Sequence, residues 1–380
     1  MRLPRQKRLF GIVVRPELEE RLQILAEDSR FDLAGSCAKD PLGRGRKRGT
    51  FGRWIYPVVL PNGRRMSLFR ILLSNVCVND CAYCPLRSDE NPLRVSLRPE
   101  ELARGFMSYW RRGLVQGLFL SSGVIKDADT TMELLLRTVS FLRKKEGFKG
   151  YIHLKIIPGA SEAAVEKAAQ LVDALSLNLE APNEKSFQRL TRRKRFEEVL
   201  KLTYYLSKLK SQKGFSHTTQ LVVGAAGERD AEIIRTTQTL YQNFNLNRVY
   251  FSAYQPGCGR PGLPGEKISR CFDLRTREHR LYQVDFLLRK YGFKAEEIPL
   301  QEGFLPLEID PKTAWAQSHP EFFPVNVNMA SYWELLRVPG IGPKGARLIL
   351  EARKYGRLRD LDHIFPNTKL LAKARPYIVF

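Results

Sequence analysis

Three cysteines fall within eight residues, in the run Asn75-Val-Cys77-Val-Asn-Asp-Cys81-Ala-Tyr83-Cys84-Pro85. A disulfide framework would be denser and sit in a shorter chain, so three clustered thiols in a reducing compartment point to a metal. A structural zinc wants four ligands, and the next histidine is only His153. A [4Fe–4S] cluster tolerates three protein thiolates when an outside ligand takes the fourth iron, and an open iron is useful if something binds there. The alternatives are a zinc site or three structural cysteines. The remaining cysteines, Cys37, Cys258 and Cys271, are scattered. They show no ligand run for a second cluster, although three distant thiols could still meet in space.

With an aromatic just before its last cysteine, Cys77-x3-Cys81-x-Tyr83-Cys84 resembles the radical S-adenosylmethionine (SAM) superfamily. The resemblance implies that SAM chelates the unique iron of a [4Fe–4S] cluster. One electron then cleaves SAM to a 5′-deoxyadenosyl radical, which abstracts hydrogen from substrate. It also implies SAM contacts beyond Tyr83. Ser121-Ser122-Gly123 stands where the family carries Gly-Gly-Glu; the glutamate is absent, leaving hydroxyls and carbonyls. Asn178 and Glu180, two apart and so on one side of a strand, stand where the family faces the SAM ribose or carboxylate. Gly224, in Gly224-Ala-Ala-Gly227, offers backbone that could lie along the adenine; a plain tight turn is the other reading.

A second signal lies at the carboxyl end, in Arg337-Val-Pro-Gly340-Ile341-Gly342-Pro343-Lys344-Gly-Ala-Arg347. Two helices flank a Gly-Ile-Gly turn, with Pro343 at the first position of the second. Ile341 is expected to plug between the helices, the glycines to let backbone approach a ligand, and the free N–H groups to favour a phosphate. Lys344 and Arg347 add charge on that side, and residues 335–380 hold ten Lys/Arg against three acidic residues. This resembles the helix-hairpin-helix of DNA repair proteins, which grips backbone without reading sequence. An αα-hairpin closing the barrel is the plainer alternative. Glycosylases with this hairpin use a Lys and a later Asp; Lys344 and Asp362 have similar offsets, but too little helical chain surrounds them, and Asp362 reads as structural.

The blocks Tyr109–Val124, Thr131–Glu133, Gly150–Lys155, Arg277–Gln283 and Phe323–Asn326 resemble a family of DNA modification and repair radical SAM proteins. That resemblance implies a DNA base as context and a functional link to a uracil-DNA-glycosylase-like protein. An electron donor such as flavodoxin or ferredoxin is a further implied partner. His153, Lys155, Arg280 and Tyr282 come with these blocks as candidates. Cys258, just past the last strand in Gln255-Pro-Gly-Cys258-Gly, is a candidate hydrogen donor for quenching a substrate radical; a small buried loop residue is the alternative.

These residues need a scaffold to position them. Six short apolar runs recur: Arg70–Val76, Gly117–Ser121, Tyr151–Ile157, Ala174–Leu179, Thr219–Gly224 and Val249–Tyr254. Helical spacing fills the intervals at Pro99–Arg112, Thr131–Lys145, Glu162–Leu171, Phe196–Lys210 and Asp230–Asn243. Thr130 and Glu133 read as a capping box starting one helix. The alternation predicts an α/β fold with a partial (β/α)6 barrel, a doubly wound sheet being the competitor. The cysteine loop then sits at the carboxyl ends of the strands, where active sites are built. A further helix over Leu274–Tyr291 would bury Leu281, Val284, Phe286, Leu287 and Leu288. The expected organisation is a basic extension over 1–66, the barrel over 67–302, a connector over 303–329 and a small all-α domain over 330–380. The formal charge of +23 favours a polyanion partner. No run reaches membrane-span length and the amino end does not read as a signal peptide, so a cytoplasmic enzyme is expected. The reading is a radical SAM enzyme that modifies or repairs a DNA base. The alternatives are an RNA-modifying one, or a non-catalytic iron–sulfur DNA-binding partner of a glycosylase.

Overall fold

The computed structural model describes residues 8–9, 12–13, 16–32, 47–48, 54–59, 65–267, 271–365 and 368–380. Cys37 lies outside them, as do much of the basic extension and the side chain of Cys271. Two units divide the chain, Met1–Glu228 with Leu240–Arg275, and Arg229–Thr239 with Thr276–Phe380.

The first unit is built on one sheet of eight strands: β1 (Lys47–Arg48), β2 (Trp54–Val59), β3 (Arg65–Leu72), β4 (Gly117–Ser121), β5 (Tyr151–Lys155), β6 (Ala174–Ser176), β7 (Ser216–Val223) and β8 (Arg248–Ala253). They neighbour one another in chain order. β1–β2–β3 are antiparallel, and β3 to β8 are all parallel, giving a six-stranded parallel curled half-barrel. Parallel neighbours require crossovers, which are supplied by α2 (Pro99–Arg111), α3 (Ala128–Lys144), α4 (Glu162–Ala169), α5 (Glu184–Leu190), α6 (Phe196–Lys213) and α7 (Asp230–Asn243).

Local chemistry explains each start. Pro99 opens α2, and Glu101 reaches back to the Arg98 N–H at 2.8 Å. The buried face of α2 places Phe106 5.0 Å from Phe148 and Tyr109 5.2 Å from Phe69 of β3. α3 corrects its expected boundary. It begins at Ala128, because the Asp127 carboxylate accepts from Thr130 N at 2.7 Å and is the better cap; Thr130 sits inside the first turn. α5, unexpected, starts at an Asn183 cap accepting from Ser186 N.

Part of the stretch expected as a basic extension is built into this unit. α1 (Leu18–Asp28) buries Leu22, Leu25 and Ala26, and Arg21 pairs with Glu101 at 3.1 Å. The Asn75 amide, at the start of the cysteine loop, donates to Asp28 at 2.7 Å.

The second unit takes in the carboxyl part of α8 (Cys271–Lys290), α9 (Pro311–Ser318), α10 (Tyr332–Arg337), α11 (Pro343–Ala352) and α12 (Thr368–Ala374). α8 buries Leu281, Val284 and Leu287, whereas Phe286 is exposed and lies beside Arg289, against expectation. The 303–329 stretch, expected to cross the surface, contains α9 and buries Trp315 among Phe293, Phe322 and Phe323. The core here gathers Val327, Leu335, Leu336, Val338, Ile341 and Ile349. Among the described residues no helix is long and apolar enough to cross a membrane.

Candidate active site at the cysteine loop

The loop after β3 carries all three clustered thiols, and its backbone is tied down on every side. Arg94 donates to the carbonyls of Leu86 at 2.8 Å and Arg87 at 2.7 Å, and also to that of Asn75. Asp80 caps the next segment, accepting from the Thr191 hydroxyl at 2.7 Å and from Arg192 N at 3.1 Å. Ala82 N–H reaches Leu190 O at 2.7 Å, and Arg260 N–H reaches Ala82 O at 2.6 Å. On the β4 side Val78 N–H donates to Val124 O at 2.8 Å. Gly123 makes that approach possible: a Cβ there would lie 2.3 Å from Val76 O.

Each sulfur meets a hydrogen-bond donor. Val124 N–H points at Cys77 Sγ and Leu86 N–H at Cys84 Sγ, both at 3.4 Å, and the Lys194 ammonium bonds the Cys81 thiol. Lys194 also pairs with Glu180 at 3.7 Å, the two side chains being 9% and 7% exposed. Burial pushes the Cys81 and Cys84 thiols above their ordinary range, and the neighbouring thiols push Cys84 the same way. Burial followed by the Glu180 charge raises Tyr83, whose hydroxyl donates to that carboxylate.

Three donor-supported sulfurs suit a cluster, whose sulfurs are tuned by hydrogen bonds. Among the described residues no set of three or more His, Cys, Asp or Glu is placed to hold a single metal ion. A cluster with one thiolate per iron asks for no such convergence.

The other expected SAM contacts fall at the same mouth, with some already engaged. Ser121 O accepts from Leu73 N at 2.8 Å within the sheet, and the Ser122 hydroxyl donates to Gly123 O at 2.7 Å. Asn178 and Glu180 do share a side, amide to carboxylate at 3.4 Å. Glu180 holds a left-handed backbone (φ 67°), a conformation rare outside glycine. Gly224 has φ 89° and donates its N–H to the buried Glu228 carboxylate, which also takes Ala226 N–H at 3.1 Å. A cleft at the strand ends is lined by Tyr83, Asn178, Gln220, Ser252, Tyr254 and Cys258. Cys258 therefore shares a wall with the cysteine loop, and Arg87 ties its carbonyl to that of Cys84 at 3.2 and 3.1 Å.

A family model described as "Radical SAM superfamily" matches residues 71–240. Residues 71–240 are a radical SAM domain. The cofactors of the radical SAM domain are a [4Fe–4S] cluster and SAM, and the three thiols with their donors are the residues that fit the cluster. The chain is 23% identical over 237 residues to threonylcarbamoyladenosine tRNA methylthiotransferase MtaB of Thermotoga maritima, covering 60% of this chain and 52% of that protein. It thus spans about half the length of that relative. Among solved structures it is similar to methylornithine synthase (TM-score 0.47, 17% identity, 58% of this chain and 61% of that one) and to the hydrogenase maturase HydG (0.45, 14%, 56% and 49%).

One residue of the radical SAM domain's site, Lys194, was not visible in sequence. Lys194 sits inside Thr191-Arg-Arg-Lys-Arg195, which reads as a solvated charge run. The signal that could have found it is the carboxylate of Asn178-x-Glu180, since a buried acid needs a cation. The His153 ring lies tilted against Phe119 (centroids 4.4 Å apart, 49° between planes), which in turn lies under the Arg70 guanidinium (4.2 Å). Arg280 donates to Leu307 O at 2.7 Å, on the helix surface.

In the second unit, Ile341 is 1% exposed, between α10 and α11. Gly340 (φ 85°) is required by α12: a Cβ would stand 2.2 Å from Leu370 O, so protein backbone packs against it on that side. Lys312, on α9, donates to Ile341 O at 2.5 Å, and burial pushes its ammonium down to about 7. Lys344 and Arg347 are exposed on α11. Asp362 pairs with Arg375 at 2.8 Å, in keeping with a structural role.

Proposed function

We propose that this chain is an enzyme that reductively cleaves SAM and uses the resulting radical to modify or repair a base in DNA. The observation that carries the enzymatic part is the donor-supported set Cys77, Cys81 and Cys84 at the carboxyl ends of parallel strands, where α/β barrels place their chemistry. When bound, the cluster supplies one electron to SAM. The chain's own residues do the rest: Lys194 and the two N–H groups hold negative charge on the sulfurs, while Tyr83, Asn178 and Glu180 line the approach. Cys258, on the same cleft, is the proposed hydrogen donor to the substrate radical.

The DNA part is supported by the α10–turn–α11 element, read as a helix-hairpin-helix, with Lys344 and Arg347 exposed beside the free N–H groups of α11, and by the +23 charge. A tRNA substrate is the second reading, favoured by the name of the methylthiotransferase relative. The deciding experiment incubates anaerobically reconstituted, reduced protein with SAM and either damaged duplexes or tRNA, then analyses nucleosides by mass spectrometry. A product only in tRNA overturns the DNA reading. The paired substitution Lys344→Glu and Arg347→Glu should weaken duplex binding and flatten its log–log salt slope by about two. SAM cleavage by dithionite-reduced enzyme should persist.

A further inference from the structure

The cysteine loop is a wall common to two separate cavities. Tyr83 and Pro85 line the cleft at the strand ends, whereas Asp80 and Ala82 line a second, open cavity of about 410 Å³ that shares no residue with the first. The other walls of the second cavity are residues 188–192, at the end of α5 and in the turn after it, and residues 260–264, in the loop past β8. Backbone hydrogen bonds hold both walls to the cysteine loop: Ala82 donates to Leu190 O at 2.7 Å and accepts from Arg260 N at 2.6 Å. Cys81 sits between Asp80 and Ala82 in the chain, so this cavity reaches the back of the thiol loop without passing through the cleft that holds Tyr83, Asn178 and Cys258.

The charge of that face is one-sided. Residues 183–195 hold six cations, Lys185, Arg189, Arg192, Arg193, Lys194 and Arg195, against one acid, Glu184. Lys194 turns inward to Glu180, and Arg195 pairs with Glu198 at 3.7 Å, which offsets those two. Arg260, on the opposite wall, pairs with Asp89 at 2.8 Å. Arg189 and Arg193 bond carbonyls, of Ala226 at 2.7 Å and of Val78, which fix a guanidinium without cancelling its charge. Lys185 and Arg192 are exposed, and their side chains make no ion pair or hydrogen bond among the described residues. The carboxylate on the cavity wall, Asp80, is turned into the loop, accepting from the Thr191 hydroxyl and from the N–H groups of Arg192 and Arg193. Four cations, Lys185, Arg189, Arg192 and Arg193, are thus left against Glu184 and Asp80.

We infer that this face is the landing site of an acidic one-electron carrier protein. The inference rests on the reductive SAM chemistry proposed above, in which each electron passed to SAM must be replaced from outside. The carrier is oxidised by one electron and the cluster is reduced by it; no bond forms or breaks. The proposed function puts SAM and substrate in the cleft, so a donor approaching from the other wall works with the cleft filled. Electron-transfer encounters bury little surface and depend on charge steering rather than on a large apolar patch, which is the character of this rim. A nucleic acid is attracted by the same charge, but its base has to enter the cleft, and a backbone held here would lie across the cysteine loop from Tyr83 and Cys258.

The test titrates a purified flavodoxin, an acidic flavoprotein, onto the full-length reconstituted protein by calorimetry across a salt series, with a duplex oligonucleotide titrated in parallel. Anaerobic stopped-flow mixing with the reduced flavodoxin, without SAM, then follows bleaching of the cluster's visible absorbance. Arg192→Glu should weaken flavodoxin binding and slow bleaching by about five- to tenfold at low salt, and should flatten the salt dependence of both. Arg192→Lys should keep most of the wild-type rate. Lys149→Glu, at an exposed residue before the amino end of β5 and so at the opposite end of the strands, should behave as wild type. Iron content, melting temperature, SAM binding and bleaching by dithionite should be unchanged in all three variants. Wild-type bleaching by flavodoxin that ignores salt, no effect of Arg192→Glu, or an equal effect of Lys149→Glu each overturns the landing site. A loss confined to duplex binding assigns the face to nucleic acid and overturns it too. Failure of SAM cleavage with dithionite would count against the proposed function and leave the binding and bleaching outcomes readable.

Discussion

Replacing Lys194 by Met removes the cation that faces both Glu180 and Cys81, and the structure fixes the size of the effect. At 3.7 Å and an effective dielectric of about 20, the Lys194–Glu180 attraction is roughly 4–5 kcal/mol. Both side chains are more than nine-tenths buried, so removing one partner leaves a largely desolvated charge, for which losses of about 3–5 kcal/mol are typical. The two figures agree, and Lys194→Met should lower unfolding free energy by about that amount. Glu180→Gln removes the other charge and keeps an acceptor for the Tyr83 hydroxyl. The double variant should therefore lose less than the sum of the singles, with a coupling of about 1–3 kcal/mol. Chemical denaturation of the metal-free protein measures all three, and iron per chain after reconstitution reports the Cys81 side. A Lys194→Met loss within about 0.5 kcal/mol of zero, the range for an ordinary surface position, would refute the buried pair.

Ala at Cys77, Cys81 and Cys84 together should take reconstituted iron from about four per chain to background and abolish the spectral response to SAM; retained iron would place the cluster elsewhere. His217 is fully buried, neither ring nitrogen has a hydrogen-bond partner among the described residues, and burial, with Lys210 nearby, pushes its pKa down to about 3. A histidine depressed in the folded state favours the unfolded chain as pH falls below its unfolded value of about 6.5. It should therefore remove about 2 kcal/mol of stability between pH 6.5 and 5, and His217→Leu should flatten that limb in pH-dependent denaturation. Gly340→Ala meets both a left-handed φ and the α12 carbonyl, so it should destabilise the second unit by about 2–4 kcal/mol. Hydrogen exchange in residues 332–374 reads this out, and wild-type protection would refute the close packing.

Periodicity was informative wherever burial is enforced on both faces. All six parallel strands overlap the expected runs, because a segment such as Leu221-Val222-Val223 has to be apolar throughout, while β3, β7 and β8 begin earlier than expected, at Arg65, Ser216 and Arg248. Local rules competed at the α3 start, where a carboxylate at Asp127 outbids a hydroxyl at Thr130. Phe286 was misassigned because an apolar residue on the flank of a helix stripe does not reveal which angle the core subtends. The cysteine positions were legible from spacing alone. The groups that hold negative charge on their sulfurs were not: Val124 and Leu86 act through backbone N–H, which no side chain announces, and Lys194 looks like its exposed neighbours Arg192, Arg193 and Arg195.

The strand order, in which every neighbour from β1 to β8 is consecutive in the chain, also governs assembly. Every strand pairs with the one made just before it, so loop closures stay modest and each β–α unit can dock as it leaves the ribosome. The thiols gain their first wall when β4 pairs with β3 and brings Val124 to Cys77. Their second, the Leu190–Lys194 segment, is synthesised several units later. Until then the cysteine loop has a folded back and an open front. That interval is when a scaffold protein carrying a preformed cluster could hand it over without prising the domain apart; once Lys194 has closed on Cys81, loading requires local opening of a buried ion pair.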